Sequence, residues 1–431
     1  MVIKFIKWVG RNPKKSIFFG SVLAYGGDYL HQKYQIAKLM RSYCQEARKY
    51  GEISSPINTN LKKCVVILNP AANKRNAEDD FNDYCAPILN LAGYMIDIVK
   101  TQSDMHAVNY VYEELKDNPD MIILAGGDGT ISESITGLIR REDGLGNSCT
   151  IGVLPLGQTN LFSLMLLNST SHIKNRVDEV KAMANGALAI VRGNTKKQDI
   201  MKIELITEEQ QQSNKTFYAV GSIHWGSFYD ILRKKDKYWL TGSLRNYTAF
   251  LFNGLFPREN ITWNCDAKVT YTEPCNGCSN CYEKIETRSQ KLHNSRWWSK
   301  FNAREVAPEY SKVLNPNCLQ TTEIQINGSE FAISTNLLEG QPEDKSKLNI
   351  KFNDKPENYS FDYIWKSWKR VANRNYIDIP ESKHVSARQA LLIPSLPSSD
   401  KESFFAIDNN SFEVRPIKVT VLPKRANFFV L

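Results

Sequence analysis

Met121-Ile122-Ile123-Leu124-Ala125-Gly126-Gly127-Asp128-Gly129-Thr130 is the stretch on which the fold turns. Its first half is a short apolar run that reads as a buried strand. Residues 131–140 read as a helix. Three glycines, one carboxylate and one hydroxyl therefore fall where a strand becomes a helix. Glycines at such a point let backbone N–H groups approach phosphate oxygens, and a helix N-terminus favours negative charge. Asp128 adds a repulsive charge there, which suits a residue that holds a metal ion or takes a proton. The competing reading is a tight strand–helix turn with an N-cap.

Working outward, residues 61–68 read as a strand ending in Asn69-Pro70, 78–92 as a helix, 94–100 as a strand and 106–116 as a helix. A further strand covers 150–154. This alternation predicts an α/β fold, a Rossmann-like parallel sheet with flanking helices. Ligands of such sheets bind beyond the carboxyl ends of the strands. Three loops fall at those ends: 69–75, with Asn69 to hydrogen-bond and Lys74 or Arg75 to meet phosphate; the glycine-rich turn; and Pro155-Leu156-Gly157-Gln158-Thr159-Asn160. From Asp199 onward the pattern shifts to short apolar strands at 200–207, 216–223, 322–326, 331–335 and 348–352. These predict an antiparallel sheet or β-sandwich. Residues 257–318 are polar and irregular, as an insertion or a functional lid would be. Trp297-Trp298 within them read either as a lipid or partner contact or as packing. The division expected is 1–60, 61–199 and 200–431.

The 431 residues suffice for two or three domains, and 42% hydrophobic with 23% charged content supports sizeable cores. A net charge of +9 suits nucleotide phosphates or a membrane surface. No basic–aromatic footprint marks nucleic acid as a partner. Nine cysteines do not make a disulfide scaffold. Cys44, Cys64, Cys85, Cys149 and Cys318 stand singly and read as inert. Cys275, Cys278 and Cys281 form a C-x2-C-x2-C run behind Cys265. Zinc, a disulfide and no special role all stay open for them. Residues 1–27 carry Lys4, Lys7, Arg11, Lys14 and Lys15 and no acid. Their apolar core, 17–25, is too short for a spanning helix. The composition fits a mitochondrial address or an interfacial membrane anchor, or else a first helix packed on the body. A charged helix over 31–50 and a linker over 51–60 follow.

Taken together, the three loops resemble the diacylglycerol kinase catalytic domain over residues 61–204. The glycine-rich turn is shared with NAD kinases, but the Asn-Pro loop before it and the PLG-x-T-N loop after it resemble the lipid kinases. The resemblance implies ATP and Mg²⁺. It implies nucleotide contacts at Asn69, Lys74, Gly126, Gly127, Gly129, Thr130, Gly157 and Thr159. Asp128 matches the catalytic aspartate of the sphingosine kinase branch and the metal position. Glu133 matches a site glutamate, and Asp199 a strand-opening aspartate. His224-Trp225-Gly226-Ser227-Phe228-Tyr229-Asp230 resembles the lipid-head-group segment, with Asp230 on the substrate hydroxyls. Tyr238, Gly242 and Arg245 follow at the family's spacing, Arg245 as a phosphate-binding arginine. Leu232 stands where sphingosine kinases carry a second aspartate, which disfavours an amino-alcohol substrate. Asp408 matches the catalytic aspartate of the C-terminal segment, and Asn410 replaces its glutamate. The order of these patches resembles the acylglycerol kinase branch nearly end to end. That implies phosphorylation of monoacylglycerol and diacylglycerol at a mitochondrial inner membrane. It also implies a second role as a subunit of the inner-membrane carrier translocase. A ceramide or sphingosine kinase is the alternative.

Overall fold

The structure is a computed structural model. It describes residues 13–53, 62–103, 105–115, 119–168, 173, 175–206, 216–256, 261–275, 278, 313–316, 318, 320–336, 346–353, 360–373, 376–395 and 403–431. Residues 1–12, Cys281 and Trp297-Trp298 lie outside these. So does most of the 257–318 stretch.

Four parallel strands build the first half: β1 (Lys63–Leu68), β2 (Met95–Lys100), β3 (Met121–Gly126) and β4 (Thr150–Pro155), in the order β2-β1-β3-β4. β3 is buried along its whole length, as a strand covered by helices on both faces must be. The helix Asp128–Arg140 contributes Ile131, Ile135 and Leu138 to one face, and Arg176–Arg192 contributes Val180, Ala184 and Ala187 to the other. The spacings i, i+4 and i+7 are those of a helix stripe.

The second half contains β5 (Thr195–Leu205), β6 (Thr216–Ala219), β7 (Ser222–Gly226), β8 (Cys265–Thr272), β9 (Thr321–Gly328), β10 (Glu330–Thr335), β11 (Leu348–Phe352), β12 (Lys383–Ala387), β13 (Gln389–Pro394), β14 (Phe404–Ile407), β15 (Asn410–Glu413) and β16 (Ile417–Phe429). A purely antiparallel sheet runs β12-β11-β10-β7-β14-β15. Its Trp225, Phe331, Ile333 and Phe405 share one core with Met201, Val269, Ala390 and Val419 of the other sheet. This is the expected sandwich.

One strand joins the halves. β16 pairs antiparallel with β5 on both sides of a register shift between Leu422 and Ala426; its other edge pairs antiparallel with β13 over the first residues and then, at Asn427 and Phe428, parallel with Thr150 and Ile151 of β4. The parallel sheet thus continues into the sandwich. The division expected near residue 200 falls inside β5.

Three local differences have physical causes. A single helix, Pro13–Ile53, runs through Gly26 and Gly27, where the sequence suggests a break. Each glycine costs such a helix about 1 kcal/mol. Ile36, Leu39, Met40 and Tyr43 further along pack on the parallel-sheet core and offset that cost. The helix expected over 78–92 passes through a π turn at Phe81–Cys85, just before Pro87, whose missing N–H cannot continue the α ladder. Helices Ser227–Arg233, Arg245–Leu255 and Phe361–Ala372 stand between and beyond the expected strands, where the sequence reading named no helix. Phe228, Ile231 and Leu232 from the first, Ala249 and Phe250 from the second, and Tyr363 and Val371 from the third bury one another in a cluster of their own. Among the described residues no helix is long and apolar enough to cross a membrane.

Candidate active site

β1, β3 and β4 are neighbours pointing the same way, so the loops after them meet at one edge. Backbone bonds carry the ladders into the loops, from Asn69 N–H to the Ala125 carbonyl (3.0 Å) and from Leu156 N–H to the Gly126 carbonyl (3.2 Å). Asn69 Nδ2 donates to Thr130 Oγ1 at 3.1 Å, and Asn69 Oδ1 accepts from Ala71 N–H at 3.0 Å. The side chain is a strut between two loops. Gly127 and Gly157 meet backbone to backbone. A Cβ on Gly157 would overlap Gly127 Cα and stand 2.7 Å from Gly127 N. Asn160, which the sequence reading did not single out, shapes the third loop. Its Oδ1 accepts from Gly157 N–H at 2.9 Å, and its Nδ2 donates to the carbonyls of Pro155 (3.2 Å) and Gly157 (2.8 Å).

Gly126 leaves no room for a Cβ beside Thr130. Gly129 leaves none beside Asn410, whose Oδ1 would lie 2.5 Å away. The missing side chain of Gly129 therefore admits a residue from the second half of the chain. Asn410 also donates from Nδ2 toward Glu133 Oε1 at 3.4 Å. Glu133, expected beside the lipid, lies on this face of the turn.

Asp128 itself opens its helix, three residues before the expected start. Its buried carboxylate accepts from Leu161 N–H (2.9 Å) and Phe162 N–H (3.1 Å) at the start of the helix Leu161–Leu166. Asp408 begins the two-residue turn between β14 and β15. There Asp408 (φ 46°) and Asn409 (φ 71°) adopt the left-handed conformations that Asp and Asn tolerate. The Asp408 carboxylate accepts from three successive backbone N–H groups, Val220 (2.8 Å), Gly221 (2.9 Å) and Ser222 (2.8 Å).

Asp128 and Asp408 line one small cavity with Tyr229, Leu232 and Tyr376. Burial, and next the Asp408 charge, push Asp128 up to about 8 against the pull of its two N–H donors. Burial pushes Asp408 up to about 6 against its three amides. A carboxyl group so poised can take up and release a proton near neutral pH. The oxygen donors here are two buried carboxylates that raise each other's cost of ionisation. They fit a hard divalent cation, which would relieve that cost.

A cleft of about 550 Å³ opens beside this cavity, with Lys74, Gly157, Thr159, Lys235 and Arg245 in its walls. Its size is that of a small-molecule site. Burial lowers the Lys235 pKa; the Arg245 and Lys74 charges lower it further, and Asp236 opposes them. Asp236 pairs with Arg245 at 2.7 Å. Three cations thus converge with one carboxylate among them. Asn246 Oδ1, also in the wall, is buried without a hydrogen-bond partner. Lys235 has no motif of its own. Only the 3-10 segment Lys234–Leu244 brings it to the cleft.

A second cavity, about 210 Å³, shares Gln158, Leu232 and Lys235 with the cleft and contains Asp230. The Asp230 carboxylate accepts from Thr262 N–H at 2.8 Å, and burial raises its pKa. Arg233, Asp236, Phe404 and Phe405 are among its other walls. Leu232 lines all three spaces. Asp199 lies apart from them. Its carboxylate accepts from Ser346 Oγ (2.8 Å) and Lys424 N–H (2.9 Å) and pins the register shift of β16. The cysteines also regroup. Cys265 starts β8, at the opposite end from Cys275 and Cys278, while Cys318, read as inert from its isolation, joins those two.

Residues 63–203 match the diacylglycerol kinase catalytic domain and residues 220–431 the acylglycerol kinase C-terminal domain. Fold and site together define a lipid kinase that uses ATP. The Homo sapiens protein named acylglycerol kinase, mitochondrial, is 31% identical over 99% of this chain and 96% of its own length. Its Xenopus laevis counterpart is 30% identical over 99% and 95%. A sphingosine kinase of Arabidopsis thaliana is 26% identical over 51% of this chain and 43% of its own. The chain belongs to the acylglycerol kinase family.

Proposed function

We propose that the chain transfers the γ-phosphate of ATP to the free hydroxyl of monoacylglycerol and diacylglycerol, giving lysophosphatidate and phosphatidate. One observation carries this reading. The cations Lys74, Lys235 and Arg245 converge on a cleft that adjoins a buried aspartate pair, and that pair adjoins the cavity of Asp230. Like charges held together at a cost await an anion, and a triphosphate supplies one. The loop amides and the three cations hold it. Asp128 accepts the proton of the lipid hydroxyl as its oxygen bonds to phosphorus. The P–O bond to ADP breaks, and its electron pair leaves with ADP. Asp128 and Asp408 are the residues that would hold Mg²⁺, and the ion supplies charge neutralisation on the phosphates.

Asp230 shares its cavity with Leu232, Arg233, Lys235 and Asp236. Leu232 offers an ammonium no carboxylate, while the Asp230 carboxylate can accept a hydrogen bond from the hydroxyl of a neutral glycerol head group. Exposed Trp239, Leu240 and Leu244 lie on the segment between Lys235 and Arg245, with exposed Phe252 and Phe256 following. Such a basic, aromatic edge suits contact with a membrane surface, from which an acylglycerol would enter. A mitochondrial location accords with the names of the relatives, and the inner membrane is the surface proposed for it.

The test is phosphorylation by the purified chain with labelled ATP across mono- and diacylglycerols, ceramide and sphingosine in mixed vesicles. Label is expected in the acylglycerols. Faster labelling of sphingosine or ceramide would overturn the reading. A role in the carrier translocase is separable from catalysis: in cells lacking the protein, Asp128→Asn should restore carrier import if that role is independent.

A further inference from the structure

Three thiols stand together away from the catalytic clefts. Cys275, Cys278 and Cys318 have their sulfur atoms within 4.8 Å of one another. β8 and β9 pair antiparallel as far as Thr272 and Thr321, and residues 273–320 connect them. Cys275 and Cys278 leave the end of β8, and Cys318 arrives at the start of β9. The ladder therefore brings thiols distant in sequence to one place. Cys278 and Cys318 are buried and Cys275 is half-buried.

Polar groups reach two of the sulfurs. Asn315 donates from Nδ2 to Cys275 Sγ at 3.4 Å. Arg388 directs Nη1 at Cys318 Sγ from 3.9 Å. The Arg388 backbone is fixed on both sides, its N–H on the Thr272 carbonyl (2.9 Å) and its carbonyl on Val421 N–H (3.0 Å). A guanidinium held beside a sulfur by two strands offsets the charge of a thiolate. Outer partners of this kind accompany metal–sulfur sites.

We propose that Cys275, Cys278 and Cys318 bind a zinc ion that ties the two ends of the 273–320 connection together. Zinc–sulfur bonds of about 2.3 Å at tetrahedral angles set sulfurs about 3.8 Å apart, within small side-chain rotations of the spacing here. Cys275-Asn276-Gly277-Cys278 is a C-x2-C pair, the local half of many such sites. Each thiol releases its proton to solvent on binding, and no electron is transferred. Three thiolates leave the fourth position for a further donor. The site serves structure. It shares no residue with the walls of the three active-site spaces.

Elemental analysis of the full chain, purified in reductant without chelator and dialysed, tests this. About one zinc per chain is expected. Cys278→Ser and Cys318→Ser should each weaken zinc binding about tenfold or more, while Cys64→Ser keeps wild-type content. Should the serine variants fail to fold, the wild-type chain loaded with Co²⁺ gives the answer. Sulfur-to-cobalt charge transfer and strong tetrahedral bands are expected. Weak octahedral bands alone would overturn the site. So would a wild-type chain that takes up no zinc, stoichiometric copper or iron in its place, or a disulfide between two of the three in peptide maps.

Discussion

The two halves hold the aspartates proposed for catalysis by different means. In the first half, the Asp128 carboxylate is held by the loop after the next strand of the same sheet, and glycine packs on glycine to bring the two loops together. In the second, Asp408 rides on the tip of a hairpin and is gripped by amides about 190 residues earlier in the chain, at Val220, Gly221 and Ser222. A site assembled from consecutive strand ends can be written as a motif. Where a hairpin docks onto a distant strand, the hairpin can be written as a motif but its grip cannot, because the amides that hold the carboxylate lie far off in the chain and act through backbone, which leaves no mark on residue identity. The contrast also assigns different tasks. Asp128 has two donors on its carboxylate and a pKa near working pH. Asp408 is more fully committed to holding the hairpin in place.

That contrast breaks first at Asp128. Asp128→Asn should lower kcat about 10³-fold while leaving the fold intact by circular dichroism, the usual scale for removing a proton acceptor. A variant that keeps wild-type kcat removes Asp128 from the chemistry. Lys235→Ala comes next. Losing one charge-assisted phosphate contact should raise the KM for ATP about ten- to a hundredfold with a smaller change in kcat. Unchanged KM would place the triphosphate elsewhere. The glycines give a third, sharper comparison. Gly157→Ala and Gly129→Ala should each cost about 1–3 kcal/mol of stability through overpacking. Removing Asn410 as well should restore the Gly129 variant, whose obstacle is a side chain. No such partner exists for Gly157, whose obstacle is the Gly127 backbone. Denaturant titration of the double variant Gly129→Ala/Asn410→Ala decides it: equal losses in single and double variants would sever the link between the halves.

The smallest effects are pH-dependent. Asp128 is raised to about 8 in the fold, above its ordinary value of about 3.9, so the unfolded chain releases this proton first. Its contribution is fully present at low pH and is lost as pH climbs from about 4 to about 8. The Tm of metal-free Asp128→Asn should therefore gain on wild type between pH 5 and pH 8, and a constant gap would contradict the shift. His224 works the other way. Burial, then the Arg370 charge, hold it down to about 3, so its contribution is present above pH 6.5 and fades as pH falls below that.

Much of the first half was legible because apolar runs such as Cys64–Leu68 and Met121–Ala125 can only be strands covered on both faces, and the loops after them carry small and amide residues. In the second half β5, β6, β9, β10 and β11 were legible from the same runs, but β8 was not, because Cys265–Thr272 alternates and lies in the stretch read as polar and irregular. Nor were the helices of this half. Phe228, Ile231 and Leu232 keep helical spacing over barely two turns, too briefly to outweigh the β-rich surroundings. Lys235 escaped notice because a lone lysine in a charged stretch carries no signal until a 3-10 segment turns it toward Lys74 and Arg245. Asn160 was visible as part of a motif, but its task as the brace of Gly157 depends on three hydrogen bonds that only coordinates reveal. Cys318 looked solitary because strand pairing, and not spacing, brings it to Cys275 and Cys278.

β16 also sets the order of assembly. Asn427 and Phe428 extend the sheet whose other strands end at Pro155, and the residues just before them close the sandwich. Contacts so remote along the chain form late, because a long loop must close before they repay it. During synthesis the parallel sheet waits with one edge bare while more than three-fifths of the chain is still being made. A chaperone acting on this protein has that edge to guard, and the edge vanishes only when the final strand zips both sheets in a single stroke.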